Sequence, residues 1–320
     1  MAEHYDVFNG DADGICALHQ LRMAHSPDSS VLITGVKRDI RLLEKIKNLR
    51  DCRVTVLDIS MAANHDALTL ILQNRNQTVY FDHHFAGEIP DSPFLRAYID
   101  PSPDICTSLL VNDYLGGRYL LWAICGAFGD NLHEQALKLA ANNDLSQEKI
   151  DILQEIGELI NYNGYGSTIE DLHFAPDELY RQVHLFQDPF AFYRENKALA
   201  ILRAGYDSDL AKCLDLNPLF PREKNRIFQL PDESWARRIS GIFANLKARE
   251  KREAAHALMT KNNDKTWRIS VRAPLNNKKN ADNLCKSFPT GGGRAAAAGI
   301  NYLPEEKLED FFKAFNKTYP

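Results

Sequence analysis

The run FDHHF at residues 81–85 sets an acid beside two imidazoles, Asp82, His83 and His84, at the end of an apolar stretch. Alone it could be a solvated turn. Other acids sit at comparable points of the chain: Asp11 and Asp13 in NGDADG, Asp58 closing RVTVLD, and Asp130 in CGAFGDN. An Asp before an apolar helix is a favoured N-cap, yet a cap needs one carboxylate, and two neighbouring ones repel. A divalent cation would neutralise the Asp11 and Asp13 pair while taking oxygen from both. Asp130 serves equally well as a turn acid before the next helix. Acids and imidazoles away from water need partners, since an isolated carboxylate is costly there. Mixed oxygen and imidazole donors suit manganese, magnesium or a related ion, and the lack of nearby cysteine argues against structural zinc.

A second constellation lies in TGGGRAAAAG, where Gly291, Gly292 and Gly293 precede Arg294. Glycines let an anion approach backbone N–H groups, and an arginine can grip a phosphate with paired hydrogen bonds. A flexible hinge would look the same. Arg272, in SVRAP at the end of a strand pattern, either joins Arg294 or makes a surface ion pair.

The elements that must position these residues follow from the hydrophobic periodicity. YDVF, SVLITGV, RVTVLDIS and QTVYFDHH read as strands, alternating with helices over GICALHQLRMA, DIRLLEKIKNLR and HDALTLILQN. Strands separated by such short helices form βαβ units and a parallel sheet, so the fold class is α/β. Ligand sites of open α/β sheets lie beyond the carboxyl ends of the strands. NGDADG, Asp58 and DHH all fall at such ends. From about residue 118 the pattern turns helical, through RYLLWAICGAFGDN, SQEKIDILQEIGELINY and PDELYRQVHLF. LNPLFPREKN looks like a connector. A second βα pattern follows: strand RIFQL, one long or broken helix DESWARRISGIFANLKAREKREAAHALM, strand WRISVRA, a helix around NADNLCKSF, and a final amphipathic helix PEEKLEDFFKAFNK.

Length and composition bound the function. At 320 residues, with 44% hydrophobic and 25% charged side chains, the chain is globular and long enough for two domains. No apolar run approaches the ~20 residues that span a bilayer, and the first residues lack the pattern of a signal peptide, so a cytoplasmic protein without membrane contact is expected. The six cysteines are scattered, with no C-x-x-C pair, which predicts reduced, buried thiols. A net charge of -5 argues against binding long duplex nucleic acid, and leaves open a short anionic substrate in a local basic pocket.

NGDADG, VLD, DHH and GD occur in the order and approximate spacing of the DHH phosphoesterases, and SVRAP followed by GGGRAAAAG resembles their C-terminal DHHA1 domain. The resemblance covers nearly the whole chain. It implies an N-terminal parallel-sheet DHH domain over residues 1–190, a linker over 191–220, and a smaller α/β DHHA1 domain over 221–320 across a cleft. It also implies two divalent ions, manganese first, with magnesium or cobalt as alternatives. By motif, Asp11 and Asp58 would hold one ion, and Asp13, Asp58, His83 and Asp130 the other, with Asp58 bridging. Asp82 would orient the neighbouring imidazole, and His84 would contact the substrate phosphate, so Asp82, His83 and His84 form the catalytic group. Arg272, Gly291, Gly292, Gly293 and Arg294 would bind substrate. Two ions ~3.5–4 Å apart acidify bound water and clamp the attacking and leaving oxygens of a phosphodiester.

Two departures stand out. Many members, the nanoRNases included, carry a histidine four positions before the first motif aspartate, where this chain has Val7. The DHHA1 glycines usually precede a histidine, where this chain has Arg294. The expected activity is hydrolysis of short 5'-phosphorylated single-stranded oligonucleotides, linear dinucleotides such as pGpG above all, to nucleoside monophosphates. A RecJ-like single-strand exonuclease, a cyclic dinucleotide phosphodiesterase and a catalytically weak nucleotide sensor are the alternatives. A homodimer is among the expected assemblies.

Overall fold

A computed structural model describes residues 3–220, 224–262 and 264–320. Residues 221–223 of the connector LNPLFPREKN lie outside these described residues. The chain divides into two compact units, Met1–Gly205 and Tyr206–Pro320.

In the first unit, β1 (His4–Phe8) leads into α1 (Ala12–Ala24), followed by β2 (Val31–Ile33), β3 (Arg53–Leu57), α2 (His65–Gln73), β4 (Gln77–Asp82) and β5 (Leu95–Ile99). The five strands form one sheet in the order β2-β1-β3-β4-β5, and every neighbouring pair is parallel. The strand order reverses between β1 and β3, the place where open α/β sheets open a crevice. The two faces of the sheet are covered differently. Val7, Val54, Val56 and Tyr80 pack with Leu68, Ile71 and Leu72 of α2. Phe8, Leu57 and Phe81, one residue further along their strands and equally buried, point to the other face, because side chains alternate along a strand. On that side α1 packs against α3 (Thr107–Tyr114) and α4 (Leu120–Gly129), and α4 against α6 (Gln147–Asn163), with α5 (His133–Asn142) alongside α4. Then come α7 (Pro176–His184), α8 (Pro189–Glu195) and α9 (Lys197–Leu214). The boundary between the units falls inside α9, so the stretch expected as a linker over 191–220 is largely helical.

The helix expected over DIRLLEKIKNLR does not form; only a 3-10 turn, Leu42–Lys45, is present there. The backbone groups that a helix would use are bonded to side-chain amides. Asn64 accepts from Leu43 N and donates to Ile40 O, and Asn74 and Asn76 donate to Lys47 O and Leu49 O. Leu42, Leu43 and Ile46 are buried in the core under the sheet, so tertiary packing overrides the local periodicity.

The second unit holds a mixed sheet of β6 (Arg226–Gln229), β7 (His256–Lys261), β8 (Trp267–Arg272), β9 (Gly291–Arg294) and β10 (Ala297–Leu303), in the order β6-β7-β8-β10-β9. α10 (Ser234–Glu250) packs on β7 and β8. From the opposite face Phe311 and Phe315 of α12 (Leu308–Thr318), with Leu284 and Cys285 of α11 (Ala281–Lys286), pack on Ile227, Ala257, Ile269 and Val271. The helix expected to run through AAHALM ends at Glu250, and HALMTK is strand β7. Five of its residues in a row are buried, so the strand carries no hydrophobic alternation that would distinguish it from a helix.

All six cysteines are buried and free. Among the described residues no helix is long and apolar enough to cross a membrane.

Candidate metal centre

The acids of NGDADG, Asp58 and DHH meet at the carboxyl ends of β1, β3 and β4. Asp11 is the N-cap of α1, its Oδ1 accepting from Gly14 N at 3.1 Å. The cap and the site therefore share one carboxylate. Its Oδ2 faces Lys37 Nζ at 2.6 Å. Asp13, in the first turn of α1, accepts at 2.7 Å from both Thr107 N and Ser108 N, buried backbone donors at the start of α3 that have no partner within that helix. Asp58 closes β3 with a left-handed φ of 57°, a backbone that side chains rarely adopt, and takes a hydrogen bond from Thr107 Oγ1 at 3.2 Å. Asp130 is the C-cap residue of α4.

His83 stands at the centre. Its Nε2 is 3.4 Å from Asp58 Oδ1, 3.8 Å from Asp130 Oδ2 and 4.0 Å from Asp13 Oδ2. Asp82 is fully buried, and its Oδ1 accepts from the backbone N–H of His83 at 2.9 Å and bonds the ring Nδ1 of His84 at 2.7 Å. The imidazole that Asp82 orients is thus that of His84. Asp82 Oδ2 is buried with no hydrogen-bond partner. The His84 ring, 41% exposed, is the part of the trio open to an incoming ligand.

Residue type alone does not single out Lys37, Thr107, Ser108 and Asn161. Lys37 lies just beyond β2, at the same sheet end as the acids. Its ammonium also donates to Asn161 Oδ1 at 3.0 Å and stands 3.7 Å from Asp130 Oδ1. Val7, the position of a histidine in many relatives, is fully buried in the apolar core.

The electrostatics are those of an acid cluster short of positive charge. Burial, then the neighbouring charges of Asp11 and Asp13, push the Asp58 carboxyl well above the usual range. Burial, only partly offset by Lys37, also raises Asp130. Burial would raise Asp11 too, but the Lys37 ammonium overrides it and holds the carboxyl low. Burial opposes charge on His84, and its bond to Asp82 more than compensates and raises it. Among the described residues two sets of donors lie close enough to hold an ion, Asp58, His83 and His84 in one and Asp13, His83 and Asp130 in the other. Carboxylate and imidazole donors without thiolate fit manganese or magnesium, and the residues present fit such an ion.

In the second unit Arg272 donates from Nε to Asn245 Oδ1 of α10 at 2.9 Å. The glycine run forms the edge strand β9, hairpinned onto β10, in place of a flexible hinge. A Cβ on Gly291 would lie 1.7 Å from Cys285 O, so the close pass of α11 demands that glycine; Gly293, with φ of 133°, is demanded by the hairpin, whereas Gly292 has open space around it. Arg294 ends this strand, exposed.

A family model for the DHHA1 domain matches residues 224–319. This part of the chain is a DHHA1 domain. Over its whole length the chain shares its fold with solved DHH-domain and RecJ structures. RecJ of Thermus thermophilus in complex with Mn2+ superposes with a TM-score of 0.68 at 17% identity, over 99% of this chain and 52% of that one. A DHH-domain member of the s1p family of ribosomal proteins gives 0.64 at 15% identity, over 99% and 86%. The pGpG-specific phosphodiesterase PggH of Vibrio cholerae gives 0.59 at 14% identity, over 99% and 98%. The chain thus spans about half the length of the Thermus RecJ. No curated protein is matched by sequence.

Proposed function

We propose that this chain is a metal-dependent phosphodiesterase that hydrolyses short 5'-phosphorylated oligonucleotides, with linear dinucleotides such as pGpG foremost, to nucleoside monophosphates. The observation that carries the reading is the convergence of Asp13, Asp58 and Asp130 on His83 Nε2, each within 4.0 Å. Asp13, Asp58, His83 and Asp130 would hold a divalent ion, manganese first, with magnesium or cobalt as substitutes. When bound, such an ion supplies a water acidic enough to attack phosphorus at neutral pH.

The chain's own residues supply the rest. His84, fixed through Nδ1 by Asp82, presents a partly exposed imidazole to a phosphoryl oxygen. Raised by Asp82, it carries positive charge more readily than a free histidine, which suits an anionic substrate. The DHHA1 domain contributes Arg272, Arg294 and the open backbone at Gly292 for a phosphate that does not react. An overall negative charge of -5 favours a short substrate over a long strand, whose affinity comes from many phosphate contacts. The likeness of whole-chain extent to a pGpG phosphodiesterase supports the same choice.

The test offers purified protein with Mn2+ three substrates: pGpG, a 5'-phosphorylated strand of about 20 nucleotides, and a cyclic dinucleotide. Metal chelation and His83→Ala serve as controls. Monophosphate released from pGpG, and lost in both controls, is the expected result. Processive digestion of the long strand would point instead to the RecJ-like exonuclease, cleavage of the cyclic substrate alone to a cyclic dinucleotide phosphodiesterase, and binding without turnover to a sensor.

A further inference from the structure

We propose that the Lys37 ammonium takes the place of one cation of a two-ion site, so that this chain loads a single divalent ion, on Asp13, Asp58, His83 and Asp130. The inference rests on the metal-dependent reading above and deepens it. Lys37 Nζ lies 2.6 Å from Asp11 Oδ2, 3.0 Å from Asn161 Oδ1 and 3.7 Å from Asp130 Oδ1. The other Asp11 oxygen is committed to Gly14 N at 3.1 Å. The Asp11 oxygen left outside the cap therefore already faces a cation. A divalent ion sits at roughly 2.0–2.6 Å from its ligand oxygens, and one placed on Asp11 Oδ2 would stand directly against the ammonium, like charge facing like.

Lys37 is held where it is. Its backbone N–H donates to Gly164 O at 2.9 Å, its carbonyl accepts from Asn9 Nδ2 at 3.2 Å, and its side chain is 25% exposed. A surface lysine could swing aside for an ion; one anchored on both sides of its Cα and by two side-chain acceptors cannot do so cheaply. Across the cluster the situation is reversed. Both donor groups able to hold an ion among the described residues omit Asp11, and both pass through His83. An imidazole nitrogen has one lone pair to give, so His83 Nε2 serves one ion at a time. Lys37 then neutralises Asp11 permanently, while the exchangeable ion occupies the other side.

The experiment counts metal without substrate. Metal-free protein is titrated with Mn2+, reading stoichiometry by calorimetry and the electronic state by electron paramagnetic resonance. Wild type is expected to bind about one ion per chain, with the spectrum of isolated manganese, whereas the paired sites of two-metal enzymes bring the ions to ~3.5–4 Å. Lys37→Ala frees Asp11 and is expected to take up about one further ion beside the first, with a spin-coupled spectrum. Lys37→Ser does the same if the alanine variant fails to fold, circular dichroism reporting which is intact. Wild type binding a spin-coupled pair overturns the inference, as does a folded Lys37 variant that stays at a single ion. Wild type that binds one ion but cleaves no phosphodiester leaves the inference standing and removes the proposed function; wild type that binds none removes both.

Discussion

Arg272 and Arg294 flank the same residue, Ala297, from opposite sides of β10. Residues paired across a sheet share a face, and the row continues through His256 to Arg226. One end of the DHHA1 sheet thus carries three arginines in that row, Arg226, Arg272 and Arg294, of which Arg226 is tied to Glu250 and Arg272 bonds Asn245. Arg294→Ala is expected to raise KM for pGpG about tenfold, ~1.4 kcal/mol, with kcat little changed, because a grip on a non-reacting phosphate is the same before and during reaction. Steady-state kinetics on wild type and variant checks this; an equal fall in kcat with KM constant contradicts it.

The glycines of β9 make a sharper pair of variants. Gly291→Ala would place its Cβ 1.7 Å from Cys285 O and should destabilise the DHHA1 domain by about 1–3 kcal/mol, as overpacking does. Gly292→Ala meets nothing within 4 Å, so its melting temperature should match wild type and any effect should fall on substrate affinity. Thermal melts of both variants, beside pGpG titrations, separate the two.

Asp13 should prove to be structural as well as metal-binding. Its two oxygens bond the first N–H groups of α3, so Asp13→Ala leaves buried donors unmet and costs roughly 1–3 kcal/mol in metal-free protein. His83→Ala has no such burden and should lose manganese affinity with a near-normal denaturation midpoint. Urea titrations of the two apo variants check the contrast.

Asp58 should show the opposite sign. It combines a left-handed backbone with a carboxyl raised by burial and by Asp11 and Asp13. Asp58→Gly relieves both and is expected to stabilise metal-free protein by about 1 kcal/mol while abolishing stabilisation by Mn2+. A lower apo melting temperature would contradict it.

The buried histidines set an acid limit. Burial, then His184, pushes the His19 imidazole down to about 3, and burial, then Arg226, pushes His256 down to about 4. Unfolding restores both to the ordinary value near ~6.5, so below it the unfolded chain binds more protons. Stability contributed by the neutral imidazoles is complete above ~6.5 and falls as pH drops towards their folded values, by up to ~1.4 kcal/mol per pH unit for each histidine. Urea midpoints between about pH 7 and pH 5 check the slope, and His19→Phe should flatten it.

The central strands of the first sheet are legible in sequence because β1, β3 and β4 are short apolar runs bounded by polar turns, and the acids that follow them obey the strand-end rule. β5 is not: LRAYI is a half-buried edge strand whose pattern is indistinct. DIRLLEKIKNLR keeps a helical period but loses its backbone partners to asparagines more than twenty residues away, such as Asn64 on Ile40, which no local pattern reports. Lys37 obeys the same strand-end rule as the acids, yet a lone lysine after a strand carries no signal until Asp11 is seen against it. Asp11 caps α1 with one oxygen, as its type and place predict, and turns the other to Lys37.

The burial of the six free cysteines gives the molecule a nearly silent background for thiol chemistry. A maleimide dye should label the native protein slowly at most, through Cys52, and react with the rest only as each unit opens, Cys16, Cys106 and Cys125 reporting on the first and Cys213 and Cys285 on the second. A single cysteine introduced on each unit's surface would then carry a fluorophore pair with at most Cys52 to remove, turning the distance between the units into something that can be followed as nucleotide is added.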